Sequence, residues 1–291
     1  MKFSVSSYSF FSLISSGQMT SLDCIKKAKE MGFDAIEFVD FVDMNPKDGS
    51  SREEYAKKLR AECEKESLEI SNYTVGADFL NAFDGDTKAE IERVKGEIDI
   101  AMILGAKSVR HDATVGYPYN GGSFKSFDSV LPILADACRE VTVYAQEKGI
   151  RTMVENHGFF AQDSERVEKL VSAVNHENFG LLCDIGNFIC ADEPSEKAVG
   201  RVAPYAFYAH AKDFLLKDGS AGNPGKGFFQ TRSGNFARGT IIGHGVIPVR
   251  KCISILKAAG YDGAIAIEFE GLENPLTAIE IGLENLKNFC K

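Results

Sequence analysis

The chain has 291 residues, 44% of them hydrophobic and 26% charged, and no apolar run approaches the roughly 18 to 20 residues that a helical membrane span needs. Asp and Glu (42) outnumber Lys and Arg (33), so the net charge of −9 would repel a phosphate backbone and sets nucleic acid aside as a partner. The seven cysteines are odd in number, scattered and never in a C-x-x-C pair, which indicates neither a disulfide framework nor a structural zinc site and fits a reducing, cytoplasmic setting.

The serine-broken opening MKFSVSSYSFF reads as a first strand rather than a secretory signal. After it, one punctuation recurs: a helical stretch ends at glycine and a short apolar or β-branched run follows. It occurs as KEMGFDAIEF at Gly32, MILGAKSVR at Gly105, QEKGIRTMVE at Gly149 and KAAGYDGAIAIEF at Gly260. Glycine suits a left-handed helix C-terminus, and the apolar run after it reads as a buried parallel strand. Strands are expected at about 3–10, 35–40, 69–75, 108–113, 151–157, 179–186, 206–212 and 264–270. Helical periodicity fills the intervals, at Ser21 to Met31, Arg52 to Glu66, Ala89 to Leu104, Phe127 to Lys148 and Pro248 to Ala259. Eight alternating units over roughly 250 to 300 residues predict a single (β/α)8 TIM barrel, one domain over 1–291, since a doubly wound sheet more often stops at five to seven strands. The exception is 214–245, 32 residues with eight glycines after the seventh strand. It is expected as a long glycine-rich loop, a lid over the C-terminal face where barrel active sites sit. Its GNPGKG segment lacks the spacing of a phosphate-binding P-loop.

Four strand ends carry a metal-ligating residue type: Glu155 in TMVENHG, Asp184 in GLLCDIGN, His210 in FYAHAKD and Glu268 in IAIEFEG. Each ends an apolar strand, where an unpaired charge is costly. In the eighth strand Ile265, Ile267 and Phe269 share one face and suit the helix layer, so Glu268 and Glu270 face the interior. The same alternation groups Tyr208 with His210 and Lys212, and Met153 with Glu155 and His157. The spacings fit the repeat: 29 residues from Glu155 to Asp184, 26 to His210, then 58 to Glu268 across the insertion. Three carboxylates and an imidazole at a barrel mouth suit one hard divalent cation, Mn2+ or Mg2+ in preference, with Zn2+ or Co2+ admitted. Separate buried ion pairs are the competing reading.

The V-E-N-H-G, C-D-x-G-N, H-x-K-D and I-E-F-E-G segments, each at a strand end, resemble the sugar phosphate isomerase/epimerase superfamily, the xylose-isomerase-like TIM barrels. The resemblance runs from FDAIEF to GYDGAIAIEFEG. It implies Glu155, Asp184, His210 and Glu268 as ligands of one divalent cation, with Glu155 and Glu268 doubling as an acid/base pair as in the family's ketose 3-epimerases. The implied activity is isomerisation or epimerisation of a sugar, sugar phosphate or keto-polyol by proton removal beside a carbonyl. Leu216 stands where some epimerases of the family have a basic residue, six positions after the ligand histidine. Lyase or dehydratase chemistry on a similar substrate and a non-catalytic carbohydrate-binding barrel remain open. A histidine-rich nuclease like endonuclease IV is disfavoured by five histidines in all and by the charge.

Further substrate-binding candidates are His111, expected to face inward in step with Val109, and His157, Asn187, Lys212, Arg238 and Glu37. The expected partner is a small polyhydroxylated molecule, with neither nucleic acid nor membrane, and homo-oligomerisation is left open. Cys183 is expected in the helix layer, and His176 at the end of the barrel away from the mouth.

Overall fold

The computed structural model describes residues 1–116, 126–158 and 160–291. Its strands are β1 (Lys2–Ser6), β2 (Ala35–Val39), β3 (Glu69–Val75), β4 (Ser108–His111), β5 (Arg151–Glu155), β6 (Phe179–Asp184), β7 (Ala206–Ala211), β8 (Asp213–Lys217), β9 (Phe229–Gln230), β10 (Phe236–Thr240) and β11 (Ala264–Ile267). The outer helices are α1 (Ser21–Met31), α2 (Arg52–Glu66), α3 (Thr87–Leu104), α4 (Phe127–Glu147), α5 (Ser164–Val174), α6 (Ser195–Val202), α7 (Val249–Ala258) and α8 (Pro275–Phe289). Eight parallel strands close in the order β1-β11-β7-β6-β5-β4-β3-β2, with one of these helices after each barrel strand, which is the predicted (β/α)8 barrel.

Local chemistry explains the repeat. Capping boxes start α1 (Thr20 with Asp23) and α2 (Ser51 with Glu54), each satisfying two otherwise orphaned backbone donors. The glycines at 32, 105, 149 and 260 all have positive φ, so the chain can turn out of the helix into the next strand.

Strand alternation divides the core in two. Ile36, Phe38, Leu181, Cys183, Ile265 and Ile267 pack in the main core with the helices, whereas Met153, Leu182, Tyr208 and Ala266 form a small cluster inside the barrel. Each of those four stands two residues before a predicted ligand, on β5, β6, β7 and β11. With a side-chain period of two and a rise of about 3.3 Å per residue, each strand lays one floor residue and then, about 6.6 Å higher, one chemically active residue. No helix among the described residues is long and apolar enough to cross a membrane.

Five strand expectations, the first, fourth, fifth, sixth and eighth, overrun the observed ends by two residues or more, and two of them show the reason. The first strand ends at Ser6 and a 3-10 turn takes Ser7–Phe10; Ser9 then bridges to the last strand with its side chain, its Oγ donating to the Ile267 carbonyl (3.0 Å) and accepting from the Phe269 N–H (2.9 Å). The fifth ends at Glu155, after which the Asn156 amide accepts from the Asp184 N–H and donates to the Asp184 carbonyl, both at 2.9 Å. Side chains take over the pairing where the backbone leaves for the loops of the C-terminal face.

The glycine-rich segment is not a plain loop. It folds in part as an antiparallel sheet, β8-β10-β9, and Gly239 bridges Gly271 beyond β11. Its two ends are tied by Asp213, 1% exposed, whose carboxylate accepts from the N–H groups of Phe214 (2.9 Å), Gly243 (2.8 Å), Gly245 (2.9 Å) and Ile247 (3.1 Å). A Cβ at Gly245 would lie 2.1 Å from Asp213 Oδ1, so only glycine admits this approach. Asp213→Ala strands four donors and is expected to lower unfolding free energy by about 3 kcal/mol or more, with new proteolytic cleavage inside 214–245. Urea denaturation and limited proteolysis check this; wild-type stability with no new cleavage would mean that the excursion is held by other contacts.

Candidate functional site

At the C-terminal end of the barrel Glu155, Asp184, His210 and Glu268 each offer one ligand atom, and the four atoms lie within 4.8 Å of one another, all on buried residues. A divalent ion bound at about 2.1 Å keeps its ligand atoms within about 4.2 Å of each other, so this set could close on a metal with sub-ångström adjustment. Local turns aim these atoms. Asp184 Oδ1 accepts from the N–H groups of Gly186 (2.7 Å) and Asn187 (3.0 Å), an Asx turn that leaves Oδ2 for the cluster. Gly186 is required there, because a Cβ would meet the Lys212 carbonyl oxygen at 2.7 Å.

Two buried atoms of the cluster have no hydrogen-bond partner: Asp184 Oδ2 and His210 Nδ1. His210 Nε2 lies 3.0 and 3.1 Å from the two oxygens of Glu37 and donates to that carboxylate. Nδ1 therefore faces Glu268 at 3.6 Å and Glu155 and Asp184 at 3.9 Å. Burial opposes charge on this ring, yet Glu37 and Glu268 hold its pKa well above the usual histidine value. The surroundings demand a positive charge at Nδ1, which a proton or a metal ion can supply.

The two glutamates are held differently. Glu155 accepts from Asn187 Nδ2 at Oε1 (2.9 Å) and from Arg110 at Oε2 (2.6 Å). Glu268 pairs with Lys212, whose ammonium also reaches Glu270 (3.2 Å), Asp184 (3.4 Å) and Asn187 Oδ1 (3.2 Å). Burial lowers the Lys212 pKa, but Glu268, Glu270 and Asp184 outweigh it and keep the ammonium charged. In Glu268 burial raises the pKa, and Lys212 and His210 prevail to hold it well below the carboxylate range. A cavity of about 230 Å³ opens above, with Glu155, Glu268, Glu270, Arg110, Lys212 and His157 in its wall.

Of the predicted substrate residues, His157 lines this cavity with its side chain 48% exposed and bonds Asp112 at 2.9 Å. Burial works against its charge, but the Asp112 carboxylate raises its pKa. Lys212 lines the cavity too, and Asn187 bridges Glu155 to Lys212. Glu37, 0% exposed, lies beneath the cluster, bound to His210 and to Asn72 (3.1 Å). Arg238 is not brought to the cavity wall: its guanidinium lies over Phe228 and 3.9 Å from Glu273. Cys183 lies in the helix layer as expected.

His111 corrects its expectation. It stands in register with Val75, as Val109 does with Tyr73, all on the helix side, and its ring packs edge-on against Phe79. Burial pushes its pKa down to about 4, so it is neutral. The inward residue at the mouth end of β4 is Arg110, which sequence reasoning missed together with its second partner Asp112 (2.8 Å). The signal was present: sending bulky apolar side chains to the helix layer, the rule used for Ile265 and Ile267, sends Val109 outward and Arg110 inward.

The family model described as xylose isomerase-like TIM barrel matches residues 25–289. An inosose dehydratase of Geobacillus thermodenitrificans (strain NG80-2) is 26% identical over 141 residues, 47% of this chain and 46% of that protein; the chain thus spans about half the length of this relative. Among solved structures, D-psicose 3-epimerase with D-tagatose from Clostridium cellulolyticum H10 superposes with a TM-score of 0.74 at 16% identity, covering 100% of both chains. The IOLI protein with a binding zinc atom gives a TM-score of 0.75 at 17% identity, covering 100% of this chain and 98% of that one. At such identities these two speak for the fold alone. The family match begins inside α1 and runs to the last residue of α8, and the chain accordingly belongs to the xylose isomerase-like TIM barrel family.

Proposed function

We propose that the protein is a divalent-metal-dependent isomerase or epimerase of a sugar or keto-polyol, acting by proton removal beside a carbonyl. The observation that carries this reading is the pair of orphaned buried atoms, His210 Nδ1 and Asp184 Oδ2, at the base of a cavity walled by Glu155 and Glu268. Lys212 lies 3.4 Å from Asp184 Oδ2 and Glu268 3.6 Å from His210 Nδ1, but neither atom is hydrogen-bonded, and buried unbonded ligand-type atoms converging on one point suit a bound ion. Glu155, Asp184, His210 and Glu268 would hold the cation, a hard donor set that suits Mn2+ or Mg2+ and accommodates Zn2+ or Co2+. The zinc in a structural neighbour supports a divalent ion. When bound, such an ion polarises a substrate carbonyl and eases formation of the enediolate.

The chain's own groups handle the proton. Lys212 keeps Glu268 ionised and so able to accept a proton from carbon. Glu155 comes from β5, separated from β11 by β6 and β7 around the barrel, and so approaches the cavity from another side. A proton returned by Glu155 to the other face inverts the centre; one returned by Glu268 to the neighbouring carbon interconverts aldose and ketose. The ammonium of Lys212 and the imidazole of His157 line the same cavity and could donate to a departing hydroxyl. That observation, with the dehydratase name of the curated relative, favours dehydration of a keto-polyol as the second reading.

Metal analysis of the purified protein, followed by incubation with ketoses, ketose phosphates and keto-inositols in D2O and NMR, tests the proposal. About one divalent ion per chain and deuterium uptake that stops on chelation are expected. Product identity then separates epimerase, isomerase and dehydratase. A protein that takes up no divalent metal would sink the ligand set.

A further inference from the structure

Arg110 and Asp112 stand two residues apart at the end of β4, which puts them on one face of the chain, and both line the cavity above the cluster. The Asp112 carboxylate holds two neighbours at once. Its Oδ1 accepts from Arg110 Nη2 (2.8 Å) and from His157 Nδ1 (2.9 Å), and its Oδ2 accepts from Arg110 Nη1 (3.2 Å). Between the two, His111 turns to the helix layer, and its Nδ1–H donates to the Asp112 carbonyl (2.8 Å), which fixes the backbone that carries the carboxylate. Burial raises the Asp112 pKa, but Arg110 and His157 outweigh it and hold the group at about 2. Asp112 is thus ionised and can only accept, so the proton it shares with His157 sits on Nδ1.

We propose that Asp112 is a positioning residue for the reaction: it holds the His157 ring so that Nε2 faces the cavity and bonds a substrate oxygen there. This rests on the reading under Proposed function for the reaction that the cavity performs, and not for the geometry. The His157 side chain is 48% exposed, and its Nε2 has no hydrogen-bond partner among the described residues. Left to itself, a half-exposed ring can turn about its side-chain bonds, and in its neutral form either nitrogen can carry the proton. The Asp112 carboxylate removes both freedoms. With Nδ1 tied back to it, the opposite edge of the ring is the one presented to a ligand. His111, whose place in the helix layer keeps it from the substrate, contributes here only by steadying the Asp112 backbone.

Two readouts on the full-length chain test this: ring 15N–1H NMR for the geometry, and C–H exchange on the sugar panel for its consequence. The proteins are wild type, Asp112→Asn, Asp112→Ala, His157→Ala and the double variant Asp112→Ala/His157→Ala. The chain has five histidines, and the His157 signal is the one that His157→Ala removes. Its Nδ1–H should be visible in wild type, persist in Asp112→Asn, whose amide oxygen can still accept, and be lost to water in Asp112→Ala. C–H exchange should fall about 100-fold in His157→Ala, the lower end of the range for a positioned proton-transfer group. Asp112→Ala should lose about tenfold or more, with Asp112→Asn in between, and the double variant should stay within about threefold of His157→Ala, because groups that act through one another are not additive. Should Asp112→Ala not fold, Asp112→Asn combined with His157→Ala completes the same cycle. A double variant slowed by the product of the single effects, or an Nδ1–H signal that survives Asp112→Ala, would overturn the proposal. So would a loss in Asp112→Ala that added metal restores, because Asp112 would then act through Arg110 and Glu155. The NMR signature without C–H exchange on any sugar would keep Asp112 as the holder of His157 and remove the proposed reaction; metal-dependent exchange with effects that multiply would do the reverse.

Discussion

Glu268→Gln is expected to lower the rate of C–H exchange by about 10²- to 10⁴-fold, the range associated with loss of a positioned general base. The carboxylate holds three roles at once in the proposed site. It contributes a ligand atom to the cluster, pairs with Lys212, and lines the cavity. Glutamine preserves size and one carbonyl oxygen but cannot accept a proton from carbon. The change also removes one anion from a buried ammonium, and breaking a buried pair can cost several kcal/mol. Here Glu270, Asp184 and Asn187 remain within 3.4 Å of the Lys212 nitrogen, so the fold should survive. A circular dichroism melt verifies that, and metal content measured on the same sample separates lost chemistry from lost metal. Glu270→Gln, outside the ligand set, should reduce exchange far less. Exchange within tenfold of wild type in a metal-loaded Glu268→Gln protein would remove Glu268 from the acid/base role.

Glu37→Leu is expected to weaken divalent metal binding by about 10- to 100-fold without touching a ligand residue, the usual effect of losing an outer carboxylate behind a metal-bound histidine. Glu37 accepts from His210 Nε2, and that hydrogen bond determines which ring nitrogen presents its lone pair to the cluster. Without it the ring can rotate or change tautomer. Glu37→Gln should fall between wild type and Glu37→Leu, because its amide oxygen can still accept from Nε2 while the negative charge is gone. The wild-type site adds a pH signature. Glu37 and Glu268 raise the His210 pKa against its burial, so the metal-free ring carries a proton on Nδ1 that the cation must displace. Metal uptake should therefore release a proton and tighten as pH rises, which calorimetry in buffers of different ionisation enthalpy measures. Unchanged affinity in Glu37→Leu would mean that His210 is oriented by other contacts.

These two expectations differ in how far they were visible from residues alone. Glu268 was legible: it ends an apolar strand, and alternation with Ile265 and Ile267 turns it inward. Glu37 was legible only as a residue near the mouth, because its partner lies 173 residues away on a strand five positions around the barrel from β2 in one direction and three in the other. Arg110 was within reach of the same alternation argument but was lost when Val109 was turned inward. The sheet within 213–240 gave little signal, since its strands are short and its glycines read as loop.

The sequence by itself determined the eight αβ units, the face of most strands and the four residues that head the interior. Those follow from short-range causes: glycine at helix ends, the 3.6-residue and two-residue periods, and the cost of an unpaired charge in an apolar strand. Only the tertiary structure decided how each group is held: His210 by Glu37, Glu155 between Arg110 and Asn187, Lys212 among three carboxylates, and the glycine-rich excursion on Asp213. Those pairings depend on barrel closure and on the stagger between strands, which bring together residues with no fixed separation along the chain.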